Sequence, residues 1–375
     1  MKAIRIIKLK LTTENSKLPE VGFAYREAAN WLSKIIFSRG PKLATPAALA
    51  HEFYATIRAK FKLPSQVTCS LFRHIVCLYR AAKSTRRWRL AILKKITAPI
   101  CWKRDFNLTK NGLTIWGVKT DFKSGPIPSG RWCDSKLKFI GKQWYVILTV
   151  EIDIPELKTA GTIIGIDSGI KNLFVAVEPK SNKTLYVRGG AFNHHRACIR
   201  KIKARVASVG SRSARRLLQR LRNREAAVTR DFLHVASKRL VTFAKSVDAR
   251  QIVMENLQGI QGSSVKCGKK HRSQVHRWPY AQGQFFIEYK AANCGIGFEK
   301  VSSRNTSRGC PRCGHTAKAN RNGLVFRCVS CKFQDNADRV GGANCCLRSI
   351  LQRQAVEERA PISGLIVAGE GRGSA

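Results

Sequence analysis

Two pairs of cysteines restrict one stretch of this chain more tightly than any other feature. Cys310-Pro-Arg-Cys313 and Cys328-Val-Ser-Cys331 are CxxC knuckles separated by fourteen residues. Two such knuckles can supply four thiolates to one tetrahedral zinc ion. The gap is one residue short of the commonest spacing and still suits a ribbon. Chance alone rarely produces two correctly spaced pairs. Four thiolates leave no open coordination position, so the expected role is structural, worth ~10 kcal/mol or more of folding free energy. The other nine of the 13 cysteines (Cys69, Cys77, Cys101, Cys133, Cys198, Cys267, Cys294, Cys345, Cys346) are scattered, mostly in apolar settings. There a reduced cysteine behaves as a small hydrophobe. The pattern fits a reducing cytoplasm better than a disulfide scaffold.

Charge decides what such a chain can meet. Lys and Arg number 69 against 23 Asp and Glu, a formal net charge of 69 − 23 = +46. A field this positive repels itself unless a polyanion neutralises it, and phosphate backbone is the natural partner. A membrane surface is the weaker alternative. No apolar run approaches the ~20 residues of a spanning helix. The first residues, Met1-Lys-Ala-Ile-Arg-Ile-Ile, alternate like a strand rather than a signal peptide.

The 375 residues leave room for two or three compact units. Residues 1–12 read as a strand that Ser16-Lys-Leu-Pro19 breaks. Helical spacing from Glu20 to Phe37, a Thr45-Pro46 helix start and a helix after Leu63-Pro64-Ser65 make a helical insert over 16–95. From 96 to 157 short alternating runs such as Trp144-Tyr-Val-Ile-Leu-Thr-Val predict strands. With the first strand (1–15) they are read as a small antiparallel β-barrel. Past Gly161 come strands at 162–167, 171–178 and 184–188, one long basic helical stretch over 193–247, and a strand at Gln251-Ile-Val-Met. A polar loop over 258–277, a helix over 281–294, a strand at 296–302 and a final helix from Asn336 follow. Residues 357–375 are read as a disordered tail.

Three carboxylates stand out in a chain short of acids. Asp167 ends the apolar run Ile163-Ile-Gly-Ile, Glu255 ends Ile252-Val-Met, and Asp338 opens the last helix. Each alone has an ordinary explanation: an Asx turn, an arginine partner, a helix cap. A carboxylate at the end of a buried strand is costly unless a positive charge meets it. Three in this order of elements predict a shared site for Mg²⁺ or Mn²⁺, the arrangement that activates water in phosphodiester cleavage. Asp335 is a weaker candidate for the place of Asp338.

Gly165-Ile-Asp-Ser-Gly-Ile-Lys-Asn-Leu, Met254-Glu-Asn-Leu and Asn336-Ala-Asp338 resemble the three RuvC motifs of TnpB proteins and compact type V CRISPR effectors. Tyr289-Lys-Ala, Thr306-Ser and Cys310-Pro-Arg-Cys-Gly are similar to the same family. So, before residue 160, are Leu63-Pro-Ser-Gln and Gly141-Lys-Gln-Trp-Tyr. The resemblance implies an α+β multidomain protein: a wedge-like barrel, a helical recognition insert, and an RNase H-like RuvC nuclease over 158–303 and 335–356. A zinc ribbon over 304–334 interrupts that nuclease. It implies an RNA-guided DNA endonuclease whose partners are a guide RNA and double- and single-stranded target DNA, at the nucleoid. Two positions depart from the family pattern. Asp338 is followed by Arg-Val-Gly-Gly-Ala-Asn344, where Asp-x-Asn-Ala-Ala is common, and Lys332 stands where Gly usually follows the fourth cysteine.

Arg215, Arg216, Arg220 and Arg224, with apolar Leu217, Leu218 and Leu221 among them, are read as a stripe for nucleic-acid backbone, recognised by charge rather than sequence. Trp31, Trp102, Trp132 and Trp144 suit core packing better than base stacking. Two other functions compete: an RNA-guided repressor that does not cut, which the three carboxylates argue against, and a guide-free resolvase or transposase, which needs no large basic N-terminal lobe.

Overall fold

The computed structural model describes residues 2–12, 17–40, 45–85, 88–109, 112–258, 268 and 278–357. The chain divides into two compact units, Met1–Asp153 and Ile154–Ala375.

In the first unit, β1 (Lys2–Leu11) pairs along its length with β8 (Gln143–Asp153), as the alternation of its apolar residues predicts. With β2 (Thr97–Ile100), β6 (Phe122–Lys123) and β7 (Arg131–Ile140) they form an antiparallel sheet of order β2-β7-β8-β1-β6. A second small sheet holds β3 (Phe106–Thr109), β4 (Gly112–Ile115) and β5 (Val118–Thr120). The expected barrel is not closed among the described residues. Its edge strands, β2 and β6, have four and two residues, too few to carry a closing ladder.

Three helices fill the insert: α1 (Lys17–Ser38), α2 (Pro46–Phe61) and α3 (Ser65–Ser84). The start of α2 follows the sequence reading, with the Thr45 hydroxyl accepting from the Ala48 amide at 3.1 Å. The start of α1 does not. Pro19 lies inside its first turn, where a missing N–H costs nothing, so the proline begins the helix instead of delaying it. Tyr25, Phe72 and Tyr79 are buried in the shared core. Trp31, Trp102, Trp132 and Trp144 pack against that core, in line with their structural reading.

The second unit is built on a five-stranded sheet of order β11-β10-β9-β12-β13. Its strands are β9 (Thr162–Asp167), β10 (Asn172–Glu178), β11 (Lys183–Arg188), β12 (Ala249–Asn256) and β13 (Gly297–Ser302). The first three run antiparallel as a meander, and β12 and β13 add parallel to β9. The long basic stretch is two helices, α4 (Gly190–Ser208) and α5 (Arg212–Ser246). Gly210, at φ +68°, turns the chain between them.

Ile164, Ile166, Ile252 and Met254 face a core shared with α5 and with α6 (Tyr280–Ala292). The opposite sheet face receives α7 (Ala337–Glu357). Three short strands, β14 (Arg321–Asn322), β15 (Val325–Arg327) and β16 (Gln334–Asn336), form the cysteine-bearing insertion just before α7. The expected 258–277 loop lies almost wholly outside the described residues, and the expected tail after 357 lies wholly outside them.

Candidate functional site

The strand pleat places two of the carboxylates. Along β9 the residues alternate, so Ile164 and Ile166 face the α5 core while Gly165 and Asp167 face α7. β12 is the parallel neighbour, with Met254 in register with Ile166. Glu255 therefore falls beside Asp167 at the same ends of adjacent strands, which lie ~4.8 Å apart in a sheet. Asp338 comes from the first turn of α7.

All three are buried, at 7, 8 and 4% exposure for Asp167, Glu255 and Asp338. Burial pushes the Asp167 carboxyl well above the usual carboxylate range, and the charges of Glu255 and Asp338 push it further. Burial also raises Glu255, against a hydrogen bond from Thr306 and the positive charges of Arg321 and Arg348. Tyr280, at the start of α6, is raised to about 12 by burial and by the same two carboxylates, Asp167 and Glu255. Buried acids that repel one another are favoured in their ionised form by a cation among them.

Side chains that sequence reading gave no role hold the acids in place. Asn172, opening β10, donates to Asp338 Oδ2 at 2.9 Å. Arg321, on β14, reaches Asp338 Oδ1 at 3.3 Å. The Thr306 hydroxyl donates to Glu255 Oε1, and Gln284 Nε2 donates to the Glu255 carbonyl at 2.7 Å. Asn172 and Thr306 lie inside the quoted motifs, but only the fold shows what they touch. The alternative acid Asp335 pairs instead with Arg339 at 3.3 Å.

Close packing explains the Gly341-Gly342 departure. A Cβ on Gly341 would stand 2.9 Å from Asp167 Oδ1, and one on Gly342 would stand 2.9 Å from Val177 Cγ2. Across the same contact, a Cβ on Gly165 would lie 1.9 Å from the Gly342 carbonyl oxygen. Glycines let α7 settle on β9 directly over Asp167.

Cys310, Cys313, Cys328 and Cys331 converge as expected, with all four sulfurs within 4.8 Å of one another. The pairs Cys310–Cys331 and Cys313–Cys328 each lie 3.6 Å apart. That is far beyond a disulfide bond of ~2.05 Å. It is close to the ~3.8 Å edge of a tetrahedron with metal–sulfur bonds of ~2.3 Å. Among the described residues these four form the one such group of three or more His, Cys, Asp or Glu gathered closely enough to hold a metal ion.

Arg215, Arg216, Arg220 and Arg224 are exposed along α5. No helix among the described residues is long and apolar enough to cross a membrane.

Comparison with known proteins agrees with this arrangement. The family described as "Probable transposase" matches residues 146–261, and "Cas12f1-like, TNB domain" matches residues 280–345. A TnpB-like protein of Methanocaldococcus jannaschii is 34% identical over 134 residues, which is 36% of this chain and 47% of that protein. A protein named CRISPR-associated endodeoxyribonuclease Cas12f1, from an uncultured archaeon, is 25% identical over 222 residues, 53% of this chain and 41% of that one. The chain thus spans less than half the length of either relative. The solved structure described as the mini-RNA-guided endonuclease CRISPR-Cas_phi3 superposes with a TM-score of 0.53 at 10% identity, covering 93% of this chain and 92% of that one. The likeness to that structure is one of fold, and in this chain the fold is mixed α/β with a four-cysteine group. The chain is TnpB-like, related to the compact type V CRISPR effectors.

Proposed function

We propose that this protein is an RNA-guided DNA endonuclease that hydrolyses phosphodiester bonds at Asp167, Glu255 and Asp338. The observation that carries the reading is the placement of Asp167 and Glu255 at matching ends of parallel neighbours β9 and β12, with Asp338 supplied by the helix packed over them. The meander followed by two parallel additions, with helices on both faces, supports an RNase H-like (RuvC) domain over 158–303 and 335–356, with the ribbon at 304–334. The segments 1–15 with 96–157, and 16–95, are proposed as the wedge-like and recognition parts that hold the guide RNA beside the target DNA. A site in the cytoplasm, at the nucleoid, follows from such a substrate.

The donor set fits hard divalent cations, because all its ligands are carboxylate oxygens. Three carboxylates can share two such ions, and two-metal hydrolysis is the mechanism proposed. Bound there, Mg²⁺ or Mn²⁺ supplies Lewis acidity for the attacking water and the leaving oxygen. The protein's own part is electrostatic and positional. A bound cation would favour the ionised form of Asp167, whose carboxyl burial raises, while Asn172 and Thr306 hold one oxygen each of Asp338 and Glu255 by hydrogen bonds. Arg321, a third exposed, pairs with Asp338 in the absence of a cation. In the ribbon the four thiolates fit zinc, in a structural role.

The test is guide-programmed cleavage by Asp167→Ala, Glu255→Ala and Asp338→Ala beside wild type, with EDTA and with Mg²⁺ or Mn²⁺ restored. Each variant is expected to bind guide and target and to cut neither strand. Cutting at a near wild-type rate by any one of them removes that residue from the site. Wild-type protein that binds guide and target without cutting would favour the repressor.

A further inference from the structure

A cavity of about 460 Å³ lies within the second unit beside the β9–β10 turn, and the carboxylate site makes no use of it. One wall is α4, which presents Arg196, Arg200 and Lys203 at i, i+4 and i+7, on a single helix face. Glu225 of α5 closes the other side. Its carboxylate pairs with Lys203 Nζ at 2.6 Å and Arg196 Nε at 3.6 Å. Those two cations are thereby held in place, while Arg200 is exposed. The lining carries three cations and one carboxylate, 3 − 1 = +2, enough to balance two phosphodiester charges.

The rest of the lining is Ile170, Leu173, Ala197 and Trp278, with Asn193 as its one further polar side chain. Trp278 is 5% exposed, and its indole N–H has no hydrogen-bond partner among the described residues. A cationic rim over an apolar floor, in a space of this size, matches a nucleotide better than a bare anion.

The cavity's position relative to the acids is fixed by hydrogen bonds. Asn193 Nδ2 of α4 donates to the Ile170 carbonyl at 2.8 Å, and the Gly189 amide donates to the Lys171 carbonyl at 2.8 Å. Ile170 is three residues past Asp167, so their Cα atoms lie within ~11 Å. We propose that this cavity seats one nucleotide of the strand being cut, next to the reacting phosphate. Its phosphate meets Arg196, Arg200 and Lys203, and its sugar and base meet Ile170, Leu173 and Trp278. The assignment to the cut strand rests on the nuclease reading above.

Two variants test it in RNA-loaded, full-length protein: Arg200→Gln removes a charge, and Ala197→Phe fills the cavity without removing one. Binding of single-stranded target DNA is measured by fluorescence anisotropy across a salt series, and cleavage is measured separately. Arg200→Gln is expected to weaken binding about fivefold and to lower the slope of log K against log salt by about one. Ala197→Phe is expected to weaken binding comparably. Both should raise KM with kcat within about twofold of wild type, since neither touches the carboxylates. Wild-type affinity in both variants would overturn the seat. Impaired loading of guide RNA, with normal DNA binding once loaded, would assign the cavity to RNA and overturn the strand assignment. A wild-type protein that never cuts, while both variants lose DNA binding, would sink the nuclease reading and leave a seat for single-stranded DNA.

Discussion

Replacing Gly165 by alanine tests how tightly the three buried carboxylates depend on the packing of α7. The added Cβ would start 1.9 Å from the Gly342 carbonyl oxygen, and real Cβ contacts essentially never fall below 3.0 Å. The helix and the strand must therefore separate by at least 3.0 − 1.9 = 1.1 Å. What the Cβ meets is backbone on both sides, so no side-chain rotation relieves it. Asp338 sits one turn before Gly342 on the same rigid helix. Moving it 1.1 Å would lengthen its 2.9 Å bond from Asn172 by up to that amount, to at most 4.0 Å, beyond hydrogen bonding. Overpacking of this kind costs about 1–3 kcal/mol, which is several degrees of Tm in a unit of this size. A displacement of ~1 Å at a catalytic group costs about 100-fold in rate. Thermal denaturation and single-turnover cleavage should show both losses. Gly190→Ala is the control: nothing lies within 4 Å of its Cβ, so Tm and rate should hold. A Gly165→Ala protein with wild-type Tm and wild-type cleavage would refute the packing argument.

The raised carboxyls of Asp167 and Glu255 give a pH signature in metal-free protein. The unfolded chain ionises these groups first, near pH ~4, so their contribution to stability falls as pH rises from there through the folded pKa values. Asp167→Asn should flatten that fall in denaturant midpoints measured from pH 4 to 8 in EDTA; a wild type that gains on the variant over this range contradicts it. Asn172→Ala and Thr306→Val should raise the Mg²⁺ concentration needed for half-maximal cleavage by about 10- to 100-fold, with partial rescue at high Mg²⁺; an unchanged requirement would make both residues merely structural. Elemental analysis should find about one zinc per chain, and Cys328→Ser should lose it without altering the folding of Met1–Asp153. Neutralising Arg220 and Arg224 together should lower the salt slope of binding by about two without changing target preference; altered preference at unchanged affinity would point to base readout.

The sequence showed most of the second unit because its signals are local. Strand ends at Asp167 and Glu255, the helix start at Asp338 and the two cysteine knuckles each announce themselves within a few residues. What it hid depends on long-range contact. Nothing near Asn172 says that its amide meets a carboxylate 166 positions later, and nothing near Gly341 says that Asp167 lies beneath it. Residues 193–247 read as one helical stretch because Arg and Lys recur at short intervals among apolar residues on both sides of Gly210. The barrel was overread for a related reason: alternation identifies strands but not which edges pair, and the two-residue β6 has too little pattern to show that the sheet stays open.

The four-cysteine insertion and the three acids form one mechanical system, which gives a structural reason for the insertion's place just before α7. Ala337, the first residue of α7, lies in the same small core as Cys310, Cys328 and Phe326, and its amide donates to the Leu324 carbonyl at 2.8 Å. Asp338 is the next residue, so its helix starts from the ribbon's own interior. Arg321 reaches Asp338 from β14. Thr306, which holds Glu255, is tied by its carbonyl to Asn344 of α7 at 2.6 Å, and Asn344 also binds the Gly309 carbonyl, next to Cys310. A core this small would draw most of its stability from a metal ion held by the four cysteines, so metal binding at these four residues is expected to be coupled to the order of the start of α7. Releasing that metal frees the start of α7 and the Thr306 loop together, and the supports of Asp338 and Glu255 go with them.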